Sequence, residues 1–321
     1  MSSSSQIALG ALRLEAQYRA DMENNPAISD QEWNSYANRS YKELYDLLVS
    51  AYGNEYEFAA AYQFTTGNSQ FYPLPDGTPN FQDVNGNTAV KFYKLSGVDL
   101  QYSASPTGWI TLRNFEFIQR NRFYPPNTAG TWSGQTNLRY RVQGDNLFLI
   151  PTPQTGQLVQ IWYAPAPTSL IFSPPSQTTI SSTTVSLPDV TGLSVGMNVT
   201  GPGIQNSATI STINSTTNQI SLSSAATLTQ TNAILQIWSD GAMVEGLSGW
   251  EEYIIIDMAI KAGIKQENDV TELKVQKADM RARIEAMAEG RDQGQAHHVS
   301  DSVAVNAYAY DGYCGLGFEE W

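Results

Sequence analysis

The chain has 321 residues and a net charge of −13, yet only 15% of its side chains are charged. That length allows one large core or two to three smaller ones. The acidic balance lacks the electrostatic term behind sequence-independent DNA gripping, which argues against a simple nucleic-acid binder. The single cysteine, Cys314, excludes an intrachain disulfide framework and fits reducing cytoplasm. MSSSSQIALG lacks the basic and long apolar regions of a signal peptide, and no apolar run approaches the roughly 20 residues that cross a bilayer. These features predict a soluble protein that is not secreted by the usual route.

Gln6 to Met22 reads as a helix with Ile7, Leu9, Leu12, Ala16 and Tyr18 as its apolar set, broken by Asn24, Asn25 and Pro26. Ser29 starts a second helix, with Glu32 three positions on as a capping box and Gly53 as its stop. From Tyr56 to Pro167 short β-type runs alternate with turn residues. They are Tyr62 to Thr65, Ala89 to Leu95, Trp109 to Leu112, Leu138 to Val142, Leu147 to Ile150 and Leu158 to Tyr163. A hairpin is predicted at Gly144-Asp145, and a helical turn over Phe115 to Phe123.

From Ser173 to Ser239 the only charged side chain is Asp189, and Ser, Thr, Gly and Asn dominate. Apolar spacing there (Val185, Leu187; Val195, Met197, Val199; Ile210; Ile220, Leu222; Ile234, Ile237) favours half-buried strands over a linker. Gly249 to Arg291 then reads as two helices joined at Gln266 to Asp269. Trp250, Tyr253, Ile254, Met258 and Ile264 share one face of the first. Val270, Leu273, Lys277, Met280, Ile284 and Met287 step along the second, beside a thin stripe of Ala278, Ala282 and Ala286.

The expected fold class is α+β. A helical bundle of N- and C-terminal helices carries a central antiparallel β domain and an inserted small all-β domain. The expected divisions are 1–55 and 240–291 for the bundle, 56–172 for the β domain, 173–239 for the insertion and 292–321 for a C-terminal arm. That arm carries Tyr308, Tyr310, Tyr313, Phe318 and Trp321, aromatics suited to docking on a neighbour, for instance by adding a strand to a sheet edge.

Catalytic patterns are absent. His297 and His298 are adjacent and cannot share a helix face, and no ligand spacing completes a zinc site. Gly312, Gly315 and Gly317 lack phosphate-loop spacing, and Asp83 to Asn87 reads as a turn rather than a calcium loop. Asp257, an acid within an apolar helix face, calls for a structural partner among Lys261, Arg281 and Arg283. No metal, cofactor or enzymatic activity is expected.

The ordered motifs resemble one family, the head-to-tail adaptor (connector) proteins of tailed bacteriophages. The resemblance lies in LRLEAQYRADM from Leu12, SDQEWNSYANRSYKELYDLLVSAYGNEY from Ser29, FYKLSGVDL from Phe92 and WITLRNFEFIQRNR from Trp109. It continues in YRVQGDNLFLIPTP from Tyr140, IWYAPAP from Ile161, GWEEYIIIDMAIKAGIKQEND from Gly249 and RARIEAMAEGRDQG from Arg281. The Ser173 to Ser239 insertion departs from the shorter family pattern, and its LPDVTGLSVGMNVTGPGI looks like small β modules of phage structural proteins.

The resemblance implies a homo-oligomeric ring, commonly of twelve subunits, bound under the portal protein in the virion neck. Such a ring extends the channel for genomic DNA and seats a downstream tail or nozzle protein. It also implies synthesis in the host bacterial cytoplasm and function carried by interfaces. On this reading Ala278, Arg281, Ala282 and Ala286 form a candidate inter-subunit face. The alternative is a receptor- or glycan-binding virion module using the aromatic β region. A third class, a polysaccharide hydrolase using carboxylates such as Asp145 and Asp189, lacks supporting context.

Overall fold

A computed structural model describes residues 7–23, 25–52, 60–101, 108–123, 138–244 and 249–290. Strand β1 (Ile7–Ala8) leads directly into helix α1 (Leu9–Arg19). Of the predicted apolar set Leu9, Leu12 and Ala16 are buried, while Tyr18 is exposed. Helix α2 (Asp30–Tyr52) starts where the capping signal put it. The Glu32 backbone N–H donates to Ser29 Oγ at 3.3 Å, but the Glu32 carboxylate turns away to Lys265 and to the Tyr36 hydroxyl. Only half of the capping box forms, because a tertiary ion pair takes the other half. Gly53, the expected stop, lies outside the described residues.

The next stretch makes a two-sheet sandwich. Its strands are β2 (Ala60–Thr65), β3 (Phe71–Pro73), β4 (Phe92–Gln101), β5 (Trp109–Thr111), β6 (Arg113–Asn114), β7 (Arg139–Gln143), β8 (Asn146–Ile150) and β9 (Leu158–Pro165). One sheet has the order β2-β9-β4-β5, the other β3-β8-β7-β6, and only β6 and β7 pair in parallel. Tyr62, Val98, Leu100, Val159, Ile161 and Tyr163 from the first sheet meet Leu147 and Leu149 from the second. The β7–β8 hairpin turns at Gly144, whose φ of +58° suits the first loop position of a tight hairpin. Phe117–Phe123 is a 3-10 helix, within the helical turn expected over Phe115 to Phe123. The Tyr45 hydroxyl of α2 donates to the Pro165 carbonyl, and Tyr93 of β4 bonds to Asp46, so the sandwich is fastened to α2.

Residues 173–239 hold β10 (Pro175–Thr178), β11 (Thr184–Ser186), β12 (Asn198–Thr200), β13 (Ala208–Asn214), β14 (Gln219–Leu222), β15 (Gln230–Ile234) and β16 (Gln236–Trp238). They form one sheet ordered β15-β10-β11-β14-β13-β12-β16. Its two edge strands are successive parts of one extended segment interrupted at Leu235, so the sheet curls into a nearly closed barrel. The core holds Val185, Leu187, Val199, Ile210, Ile220, Leu222 and Ile237 as the spacing predicts. Ile234 faces solvent and Leu235 is buried instead, because the break between the two strands reverses the alternation there.

Strand β17 (Met243–Val244) pairs with β1, and helices α3 (Glu251–Lys265) and α4 (Thr271–Gly290) follow. Tyr253, Ile254 and Met258 of α3 are buried against Trp33, Tyr41, Leu44 and Leu48 of α2 and Leu12 of α1. Ile264, expected on the same face, is exposed near the helix end.

The helices from the two chain ends do pack together, but the expected fold class is corrected. The molecule is mostly β, with several sheets and a nearly closed seven-stranded barrel; it is not a helical bundle carrying a small insertion. The reason is geometric. Helix α1 has 11 residues and spans about 16 Å, while α2 has 23 and spans about 35 Å, so α1 covers only part of α2. The helical core is completed by Ala164, Leu170, Ile171, Trp238 and Val244 from the β regions.

Candidate functional site

The proposed inter-subunit residues Ala278, Arg281, Ala282 and Ala286 are all exposed on α4. Arg281 is turned along its own helix, with Nε donating to Glu285 at 2.9 Å. At about 100° per residue, Glu272, Val275, Asp279, Ala282 and Ala286 fall on one outward side of the helix. The inward side carries Leu273, Lys277, Met280 and Ile284. Met287, expected in that inner row, is exposed. Within the described residues nothing covers the outward side of α4. The docking-arm residues Tyr308, Tyr310, Tyr313, Phe318 and Trp321 lie outside the described residues, as do His297, His298 and Cys314.

Behind that helix sits a buried charge cluster. Asp257, on α3, is 3% exposed and pairs with Lys261 one turn along and with Lys277 of α4 at 2.8 Å. The Ser40 hydroxyl of α2 donates to the same carboxylate at 2.6 Å. Lys277 also reaches Glu43 at 2.6 Å and lies 5.1 Å from the Tyr253 ring centroid. Burial alone would raise the Asp257 pKa, but hydrogen bonds from Lys261, Lys277 and Ser40 outweigh it and hold the carboxyl below its ordinary value. Burial likewise works against the Lys277 charge, and its bonds to Asp257 and Glu43 reverse the sign and raise its pKa. Burial and the neighbouring Glu43 push the Tyr253 phenol up to about 12. The cluster neutralises its charges internally and ties three helices together. Of the sequence candidates for Asp257, Lys261 is a partner; Arg281 pairs elsewhere and Arg283 lies over the Trp250 ring at 5.8 Å.

Asp189 and Asp83 are turn caps. Asp189 accepts from the Thr191 N–H at 2.9 Å and hydroxyl at 2.7 Å, and those bonds lower its pKa. It stands in the barrel, whereas Asp145 is exposed in the β7–β8 turn of the sandwich. Asp83 accepts from the backbone N–H groups of Asn85 at 2.9 Å and Asn87 at 2.8 Å, which closes that loop as a turn. A cleft of about 690 Å³ separates barrel and helices, with Arg13 between Asn34 at 3.1 Å and Asp240 at 3.0 Å. Its one cation is thus already paired inside the seam. Among the described residues, no group of three or more His, Cys, Asp or Glu is placed to hold a metal, and no helix is long and apolar enough to cross a membrane.

One feature was missed from sequence: the outer face of the β3-β8-β7-β6 sheet gathers Arg113, Arg139 and Arg141, beside Phe117 and Arg120. The available signal was local charge, since residues 100–143 carry five arginines and one acid. The chain matches no protein-family model, and a search of curated proteins finds no significant match.

Proposed function

We propose that this chain is a structural virion protein, the adaptor ring beneath the portal that joins a phage head to its tail. On this reading it is made in the bacterial cytoplasm, resides in the virion neck and works without a catalytic residue. One observation carries the reading beyond sequence resemblance. The family-like segments fall on α1, α2, the sandwich strands, α3 and α4, whereas the departing insertion is the barrel. The barrel enters and leaves at a single hydrogen-bonded pair, Phe172 and Ile237, whose N–H and C=O groups exchange bonds of 2.9 Å. Removing it in thought leaves the family-like body intact.

The uncovered outward side of α4 supports a contact with a neighbouring subunit. The acid surplus supports a lumen that repels phosphate, so that DNA passes without sticking. The glycan-binding alternative would draw on the exposed sandwich aromatics Phe71, Tyr93, Phe117 and Trp162. The barrel adds none, since its exposed large apolar side chains are Ile180, Val195, Leu228 and Ile234.

Electron microscopy of the recombinant protein mixed with its portal tests the reading. A ring seated under the portal is expected; a protein that neither closes rings nor binds portal overturns it. Truncation before Asp301 tests the arm, and ring assembly should fall if the arm docks on a neighbour.

A further inference from the structure

Between residues 100 and 143 the chain has five arginines, no lysine and one acid, Glu116, although the whole carries −13. The sheet turns this local excess into a surface. Side chains alternate along a strand, so residues paired directly across the ladder share a face. Arg141 is opposite Phe148, Phe148 is opposite Phe71, Arg139 is opposite Ile150, and Arg113 is level with Arg139. Leu147 and Leu149 point into the sandwich, so this set lies on the opposite side of the sheet, where Phe148 and Ile150 are buried with Phe115. The arginines and Phe71 stand around them, Arg113 and Phe71 exposed and Arg139 and Arg141 half-buried. Phe71 stacks on Phe148 at 4.6 Å with the rings 9° from parallel. Across one edge lies Phe117, with the Arg120 guanidinium 4.4 Å and the Arg141 guanidinium 5.7 Å from its ring centroid.

Two properties make this patch unusual for the molecule. Elsewhere the half-buried cations have carboxylates: Arg13, Lys261 and Lys277 all form ion pairs. Among the described residues the half-buried Arg120 and Arg141 form none, and neither does the exposed Arg113 beside them. The patch is also apolar, with Phe71 49%, Phe117 44% and Ile118 83% exposed. Arginine and large apolar side chains at one spot are the composition of an interface centre. A nucleic acid would be held by the arginines but has no use for Ile118, and the net charge of the chain opposes its approach.

The complementary surface is on the same chain. The outward side of α4 offers Glu272 and Asp279, which form no ion pair among the described residues, next to the small Ala282 and Ala286. Acids meet arginines, and small side chains leave room for Phe117 and Ile118. We propose that the arginine-phenylalanine face of the sandwich receives the outward side of α4 from a second copy of this chain. The inference rests on the ring reading above and names the surfaces that would close the ring. The contact joins unlike surfaces, so it propagates head to tail and ends by closure rather than as a two-fold dimer.

Full-length variants test it by sedimentation velocity and negative-stain microscopy, with circular dichroism as the check on folding. R113E/R120E/R141E should weaken self-association at least about a hundredfold, as expected for losing central arginines. Adding E272R/D279R to the same chain should restore rings by exchanging the charges across the contact. Rings formed equally well by the triple variant, or no rescue by the charge exchange, overturn the inference and leave the ring reading standing. A wild-type chain that forms no ring with or without portal overturns both. Arginine-dependent binding of a DNA oligonucleotide with unchanged rings would assign the patch to nucleic acid instead.

Discussion

Asp257 and Lys277 meet at 2.8 Å across the α3–α4 interface, 20 positions apart in sequence, with the carboxylate almost fully removed from water. Taking away Asp257 leaves Lys261 and Lys277 with the more exposed Glu43 as their shared carboxylate. Asp257→Ala should therefore lower stability by about 2–3 kcal/mol, short of the about 3–5 kcal/mol of a buried charge left wholly unpaired. Chemical denaturation measures this directly, and a loss below about 1 kcal/mol would mean that water already reaches the cluster.

The same cluster sets two pH limits. The folded Asp257 pKa is depressed, so its contribution is present above the unfolded carboxylate value of about 3.9 and is lost as pH falls through the lower folded value. The folded Lys277 pKa is raised, so its contribution is complete below the unfolded value of about 10.4 and is lost as pH rises through the higher folded one. Melting temperature against pH should lose part of its acid limb in Asp257→Asn and part of its alkaline limb in Lys277→Met. Parallel curves for wild type and variants would contradict this assignment.

Gly203 holds a φ of +76°, and a Cβ added there would stand 2.8 Å from the Leu228 Cβ. Gly203→Ala should cost about 1–3 kcal/mol through backbone strain and overpacking together. The loss belongs to the barrel, so helical circular dichroism should melt as in wild type while hydrogen exchange quickens in β12 and β15. Protection lost evenly across the molecule would show instead that barrel and body unfold as one unit.

Because Phe172 and Ile237 already bond as neighbours, replacing residues 174–235 with a short turn should leave a folded body. Trp238, the barrel strand's contribution to the helical core, remains in the shortened chain. A soluble product with wild-type helical signal is expected, and aggregation on expression would count against an independent barrel.

Where the chain repeats a regular period, the sequence was readable. The 3.6-residue rhythm of α2 and α3 and the alternation in β7, β8 and β9 located those elements to within a few residues. The weighting of the fold class failed in part because strands such as β3, β6 and β17 have two or three residues each and leave little periodic signal. Asp257 was legible as an acid needing a cation, and Lys261 lies within its helical reach. Ser40 was not legible, since 217 residues separate it from its partner. The arginine face stayed hidden for a related reason: Arg113 and Arg141 meet only through the register of β6 with β7 and of β7 with β8.

The shared helical core also imposes an order on the birth of the molecule. The apolar faces of α1 and α2 emerge from the ribosome first, yet Tyr253, Ile254 and Met258, which cover them, follow about 200 residues later. At ordinary bacterial or eukaryotic synthesis rates that gap lasts on the order of 10–40 s. The sandwich and barrel, whose cores are drawn from contiguous stretches, can form while the opening helices wait. The helical core is thus completed only once α3 and α4 are made, after both β regions, and a nascent chain released before them would carry an apolar surface that they were meant to cover.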